Sequence, residues 1–214
     1  MKWQVTQQLN AQHNESIEID GDEQEQLNLA QQFDWATNAA SGVGTVLHRW
    51  LQYNGAKVLT TEIDQSQISA WRTELIALRV PNTHIEYALR NLKNAIENIK
   101  VDKQAHFIFE TYAIESNEYA LSTFEEGVVK KSIIDRTFVD ANNVRWIVDY
   151  KSTPTKNEDL RAFAQEQVKT RHQSQLENYG DLMSEIDSRP IQLAVYFPLI
   201  KQLVSWPYKP SSSK

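Results

Sequence analysis

Two β-rich runs, Val128–Val139 and Val144–Ser152, flank the four residues Asp140-Ala141-Asn142-Asn143. This segment constrains the fold more than any other. Asn and Asp favour tight turns, so the two runs are predicted to close into an antiparallel hairpin. In the second run Ile147, Asp149 and Lys151 fall on one face, while Trp146, Val148 and Tyr150 fall on the other. With the turn centred on Asn142, Asp135 lies opposite Asp149, and opposed Cβ atoms are about 4.5–5.5 Å apart. Arg136 points to the opposite face from Asp135. Two carboxylates that close repel each other, and both are preceded by apolar residues, Ile133-Ile134 and Ile147-Val148. Buried charge calls for a partner or a metal. Lys151 is one candidate partner, and a hard divalent cation such as Mg²⁺ is the other. Surface hairpins carry Asp and Lys often enough that Asp149-Tyr150-Lys151 alone decides little.

The rest of the chain supplies the frame. Gly42-Val43-Gly44-Thr45 is predicted to open a helix with the stripe Val46, Leu47, Trp50, Leu51, ended by Asn54-Gly55. A second helix is expected over Asp64–Leu78, before Pro81. A third follows a capping box of Thr83 and Glu86 and carries Tyr87, Leu89, Leu92, Ile96 and Ile99. Short strands are expected at His106–Phe109 and Glu118–Ser122. A long helix is expected from Ala164 to Ile186, with the apolar stripe Val168, Leu176, Leu182, Met183, Ile186. A strand over Ile191–Phe197 then ends at Pro198, with Leu203–Trp206 pairing back. Gln175 interrupts the long helix's stripe, shares a face with Tyr179, and needs a polar partner. This order predicts a mixed α/β (α+β) domain around one sheet. Residues 1–32 are polar and read as a peripheral arm or linker remnant, apart from a short strand at Ser16–Ile19. The domain is expected over 33–206, with a loose tail at 207–214.

Composition narrows the function classes. With 214 residues, 41% of them apolar, the chain is long enough for one domain with a real core. It has no Cys, which excludes disulfides, cysteine metal sites and iron–sulfur clusters. No apolar run is long enough to span a bilayer and the N-terminus lacks an apolar signal core, so an intracellular protein is expected. The net charge of −6 offers no general basic surface for nucleic acid. Basic residues occur only locally: Lys130, Lys131, Arg136, Arg145, Lys169, Arg171 and His172. No Gly-x-x-x-x-Gly-Lys-Ser/Thr sequence is present, so an ATP site is not expected.

Taken together, Ser132-Ile133-Ile134-Asp135-Arg136 and Val148-Asp149-Tyr150-Lys151-Ser152 resemble the core of RecB-type nucleases of the restriction-endonuclease-like superfamily, with its acidic-x-Lys signature. Nuclease domains at the C-terminal end of superfamily-one helicases, AddA and RecB among them, are similar. Gly44-Thr45-Val46-Leu47-His48-Arg49-Trp50-Leu51 resembles the family's early helix, Glu118-Tyr119-Ala120-Leu121 its acidic strand, and Gln175-Leu176-Glu177-Asn178-Tyr179 its Gln-x-x-x-Tyr helix. Ile191–Leu199 and Gln202-Leu203-Val204 resemble its closing strands. The ordered motifs cover about residues 42 to 206. Ser132 stands where the family often has Gly.

The resemblance implies a central mixed sheet flanked by helices, with a helical insert after the first motif helix. It implies Mg²⁺, replaceable by Mn²⁺, held by His48, Asp135, Asp149 and the Tyr150 carbonyl. His48 alone, beside Leu47 and Trp50, would read as a packing residue. Lys151 would stabilise charge and position water, with Gln175 and Tyr179 completing the catalytic set and Arg136, Lys169 and His172 touching DNA. The role of Glu118 stays open. The implied activity is hydrolysis of DNA, more as an exonuclease than an endonuclease, on single strands or ends, beside a helicase in bacterial recombination or repair at the nucleoid. A second reading is an inactive relative with a structural or DNA-binding role in a helicase–nuclease assembly.

Overall fold

The computed structural model describes residues 39–125 and 128–210. The polar stretch 1–32, with its expected strand at Ser16–Ile19, lies outside the described residues, as does the end of the tail. Residues 39–54 are helical (α1). The glycines expected to open this helix lie within it and serve close packing instead. A Cβ on Gly42 would meet Val80 Cγ2 at 2.6 Å, and one on Gly44 would meet Ser152 Oγ at 3.1 Å. At its end Asn54 Nδ2 donates to the Trp50 carbonyl (2.8 Å), and Gly55, at φ +47°, leads into a 3₁₀ turn over Gly55–Leu59.

Helix α2 (Gln65–Ala77) starts at Asp64, whose carboxylate accepts from the Gln67 N–H. Helix α3 (Asn82–Val101) buries Ile85, Leu89, Leu92, Ile96 and Ile99. The expected capping box does not form. Pro81 holds the cap position, so Thr83 is already inside the helix and bonds His84 Nδ1, while Glu86 pairs with Arg72. Tyr87 leaves the apolar stripe and is 40% exposed. The strand expected at His106–Phe109 is a 3₁₀ turn that buries Ile108 and Phe109. A short apolar run cannot by its pattern alone separate a strand from a helical turn.

One mixed five-stranded sheet follows, in the order β1-β2-β3-β4-β5. The strands are β1 (Glu115–Glu125), β2 (Val128–Val139), β3 (Arg145–Tyr150), β4 (Ile191–Phe197) and β5 (Gln202–Pro207). Only the β3–β4 pair is parallel. The β2–β3 turn closes because Asp140 Oδ1 accepts from the Asn142 and Val144 N–H groups, with Asn143 at φ +58°. The register Arg136–Val148 and Phe138–Trp146 centres the hairpin on Asn142, as the sequence predicts.

The two sheet faces bury separate cores. Phe138, Val148, Tyr150, Ala194 and Tyr196 pack with residues of α1, α2 and α3. Ile147, Leu193, Val195 and Phe197 pack under the helices between β3 and β4. Those helices run continuously as α4 (Leu160–Gln167), a π-helical turn (Val168–His172) and α5 (Gln173–Ser184). In an unbroken α-helix each i+4 step drifts by about 40°. The wider π turn offsets that drift, so Ala164, Val168 and Leu176 stay buried with His172 half-buried between them. Ile186, expected in the stripe, lies past the helix end and is 62% exposed.

Strand alternation breaks where β1 and β2 pass Glu118 and Asp135, and that break makes the site. Arg136 lies over the Phe138 ring (5.4 Å) on the α1–α3 side, yet Ile134 and Tyr119 pack on the α4–α5 side. Strict alternation would put residues 134, 136 and 138 on one face. The change falls at Asp135 and at its neighbour on β1, Glu118, which takes φ +52°. Ser132 lies in the regular ladder beyond the break, opposite Leu121.

Candidate metal centre

Four elements meet at the C-terminal end of β3: α1 brings His48, β1 brings Glu118, β2 brings Asp135, and β3 brings Asp149, Tyr150 and the adjoining Lys151. Bridging between β2 and β3 runs as far as Arg136–Val148. One residue further, Asp135 turns its side chain into the ladder, and its Oδ2 accepts from the Tyr150 N–H (2.8 Å). The Tyr150 carbonyl accepts from His48 Nε2 (2.7 Å). A carbonyl can only accept, so Nε2 carries the proton and Nδ1 faces Asp135 Oδ1 at 3.4 Å. The Tyr150 ring, stacked on Phe109 at 5.8 Å and buried, fixes the backbone that both groups use.

His48, Glu118 and Asp135 each offer a ligand atom, all within 4.8 Å of one another. Glu118 therefore joins the group the sequence pointed to. Its acidic character was visible in the chain, but its left-handed backbone, which decides its placement, was not. Asp149 is buried beside them, and its Oδ2 lies 2.8 Å from Lys151 Nζ without a well-directed hydrogen bond.

The electrostatics call for positive charge. Burial, then the nearby Asp135, pushes the Asp149 carboxyl up to about 6. Glu118 is raised for the same two reasons. Burial works against a charged His48, but Asp135 and then Asp149 and Tyr150 outweigh it and raise its pKa. Burial likewise opposes the Lys151 ammonium, and Asp149 with Asp135 outweighs it, so Lys151 stays protonated well above neutral pH. Three carboxylates thus face one ammonium and one imidazole. Carboxylate oxygens, a carbonyl and one imidazole nitrogen are a donor set for a divalent cation, and Asp149, whose one charged partner among the described residues is Lys151, keeps acceptor capacity for the same demand.

This repulsion has a thermodynamic consequence without metal. Asp149 holds a proton to about pH 6 in the fold, against an ordinary value of 3.8. Its contribution is fully present below 3.8 and is lost as pH rises through 6. In EDTA at pH 8, Asp149→Asn is therefore expected to be more stable than the parent by about 1–3 kcal/mol. The difference closes towards pH 4, where the parent is protonated whether folded or not. Thermal unfolding across that range checks this, and a variant less stable at pH 8 would contradict it.

The α5 residues sit close by in a looser arrangement. Gln175 is exposed rather than within the apolar stripe, and its Nε2 donates to the Tyr179 hydroxyl (2.6 Å). Tyr179 is largely buried, and Asp149, Asp135 and Lys151 all act on its hydroxyl electrostatically. His172, held by the π turn with its ring 6.3 Å from Phe197, is pushed down to about 4 by burial, Lys151 and Arg171, so it is neutral at pH 7. Lys169 is exposed.

Arg136, expected to touch DNA, is 1% exposed and is used inside the fold. Its guanidinium donates to the Ile108 and Glu110 carbonyls, to Asn117 Oδ1 and to Glu115. A residue facing the helical side of a central strand cannot reach a nucleic-acid backbone. Arg145 is also buried and pairs with Asp187 (2.8 Å).

A cleft of about 370 Å³ opens onto this centre, with His48, Tyr150, Lys151, Thr45 and Thr153 in its wall. No helix among the described residues is long and apolar enough to cross a membrane.

Comparison with known proteins bears on what such a centre belongs to. No curated protein matches the chain. The solved structure of SSO0001 is similar at 13% identity, covering 75% of this chain and 76% of that one, with a TM-score of 0.33. The model of the PD-(D/E)XK nuclease superfamily matches residues 24–208. That match spans both the helical half and the whole sheet, and the central mixed sheet flanked by helices is the restriction-endonuclease-like core. The chain belongs to the PD-(D/E)XK nuclease superfamily.

Proposed function

We propose that this protein is a metal-dependent deoxyribonuclease that hydrolyses phosphodiester bonds, with single strands or DNA ends as substrate, working beside a superfamily-one helicase in recombination or repair. The observation that carries the reading is the convergence of His48, Glu118, Asp135, Asp149, the Tyr150 carbonyl and Lys151 at one strand end. His48, Glu118, Asp135, Asp149 and the Tyr150 carbonyl would hold Mg²⁺ or Mn²⁺. When bound, such a cation polarises the phosphate and makes water more acidic.

The chain's own groups do the rest. Lys151, kept protonated by Asp149, stabilises the charge that grows on the phosphate oxygens and positions the attacking water. A protonated lysine is a poor base, so Lys151 does not take the water's proton. Water adds to phosphorus and gives up a proton to solvent, the bond to the 3′ oxygen breaks and that oxygen takes up a proton from solvent, and a 5′-phosphate and a 3′-hydroxyl result. Tyr179, oriented by Gln175, contacts the phosphate from the α5 side, with Lys169 and His172 beside the strand.

The test is end-labelled single-stranded and duplex DNA incubated with the protein in Mg²⁺, Mn²⁺ or EDTA. Cutting is expected in either metal, abolished by EDTA, and faster on the single strand. A folded protein that binds neither ion at millimolar concentration and cuts nothing would favour the inactive, architectural reading.

A further inference from the structure

The cleft at the metal centre does not end there. It shares Ala40, Ser152 and Pro154 with a second cavity of about 390 Å³, whose wall adds Val43, His84, Tyr87 and Asn91. That cavity shares Asn91 and Pro154 with a third of about 210 Å³, which adds Asn94 and Asn98. On α3 the five residues His84, Tyr87, Asn91, Asn94 and Asn98 are spaced three and four apart, so they form one stripe along the helix. The other wall is the loop Ser152–Thr155 that leaves Lys151.

We propose that this groove between α3 and the loop after Lys151 binds unpaired nucleotides of the strand being cut, with one base seated against Tyr87. The inference rests on the nuclease reading and adds how the strand is held.

Three observations support the assignment. First, the polar centre and the mostly apolar cavity adjoin, as the phosphate and base of a nucleotide do. Second, Tyr87 is an aromatic ring 40% exposed in the wall of the groove, on a helix whose aliphatic residues other than the terminal Val101 are buried, which suits base stacking. Beyond it the Asn91 and Asn94 side chains can pair with base edges whatever their sequence, while the Asn98 amide is held by the Pro198 and Leu199 carbonyls. Third, among the described residues and apart from the histidines, Lys151 is the only cation lining the three cavities. In a chain of net charge −6, grip through bases replaces grip through phosphates. A base inside a duplex is stacked and paired, so only an unpaired strand fits.

The test uses the Lys151→Ala protein in Mg²⁺ with short incubations, so that binding is read while cutting is slowed. A fluorescent 12-nucleotide single strand is compared with the same strand made abasic and with a duplex. The normal strand is expected to bind at least tenfold more tightly than the abasic one, with a shallow salt dependence. Adding Tyr87→Ala should weaken the normal strand about tenfold and leave the abasic strand unchanged, whereas Tyr87→Phe should retain the preference. Equal affinity for normal and abasic strands, or no effect of Tyr87→Ala, overturns the proposal. If the parent protein still cuts both strands in Mg²⁺, only the groove assignment falls. If it neither binds nor cuts either strand, the nuclease reading falls with it.

Discussion

Lys151→Ala is expected to lower the rate of DNA cleavage by about 10²–10³-fold, the cost of removing one preorganised charge-stabilising group. Metal affinity should be retained or slightly raised. Lys151 neutralises Asp149 across 2.8 Å, and without the ammonium the carboxylates face each other with less compensation. A cation then has more to gain by binding. Because Lys151 lies just past the end of β3 and keeps part of its side chain exposed, the fold should survive the change. Single-turnover cleavage and calorimetric titration with Mn²⁺ together check this. A variant that loses metal binding along with activity would show that Lys151 shapes the ligand set rather than the reaction.

Arg136→Met should cost about 3–5 kcal/mol of stability, the range for breaking a buried charged network by removing one member. The substitution strands the Ile108 and Glu110 carbonyls and Asn117 Oδ1, and leaves the Glu115 carboxylate with only the Tyr112 N–H of its present partners among the described residues. Asn117 and Glu115 lie just before Glu118 on β1, so the same change should loosen Glu118 and weaken Mn²⁺ binding. Arg136→Lys keeps the charge but not the planar fork, and should fall between the two. Urea unfolding measures the first effect and calorimetry the second. A loss below about 1 kcal/mol would mean that the network contributes little beyond its own desolvation cost.

Arg136 also marks where reading along the chain stopped. Strand alternation put its side chain on the face opposite Asp135, and a side chain pointing away from a site reads equally as a surface group or a buried strut. Only the packing of the 106–110 segment, whose Ile108 and Glu110 carbonyls accept from it, made it a strut. Tyr87 is the converse case. It fell into the apolar stripe of α3 by residue type, yet the helix face that includes positions 84, 91 and 94 faces the groove.

The sequence by itself determined the local terms. Asp140 and Asn143 dictate the turn, the turn dictates the register, and the register runs to Arg136–Val148, which makes Asp135 and Asp149 the next positions on the two strands. The run Ile191–Phe197 between Pro190 and Pro198 was a strand on its pattern alone. These depend on neighbours within a few residues, where sterics and hydrogen-bonding capacity act directly. The tertiary structure alone decided that Glu118 joins His48 and Asp135, through a left-handed residue in mid-strand that residue type does not announce. It also decided that the Tyr150 carbonyl meets His48 across 102 residues, and that a π turn swings His172 towards Lys151. Such contacts come from how two separate cores seat helices on opposite faces of one sheet, and no periodicity within a segment encodes which segment it will meet.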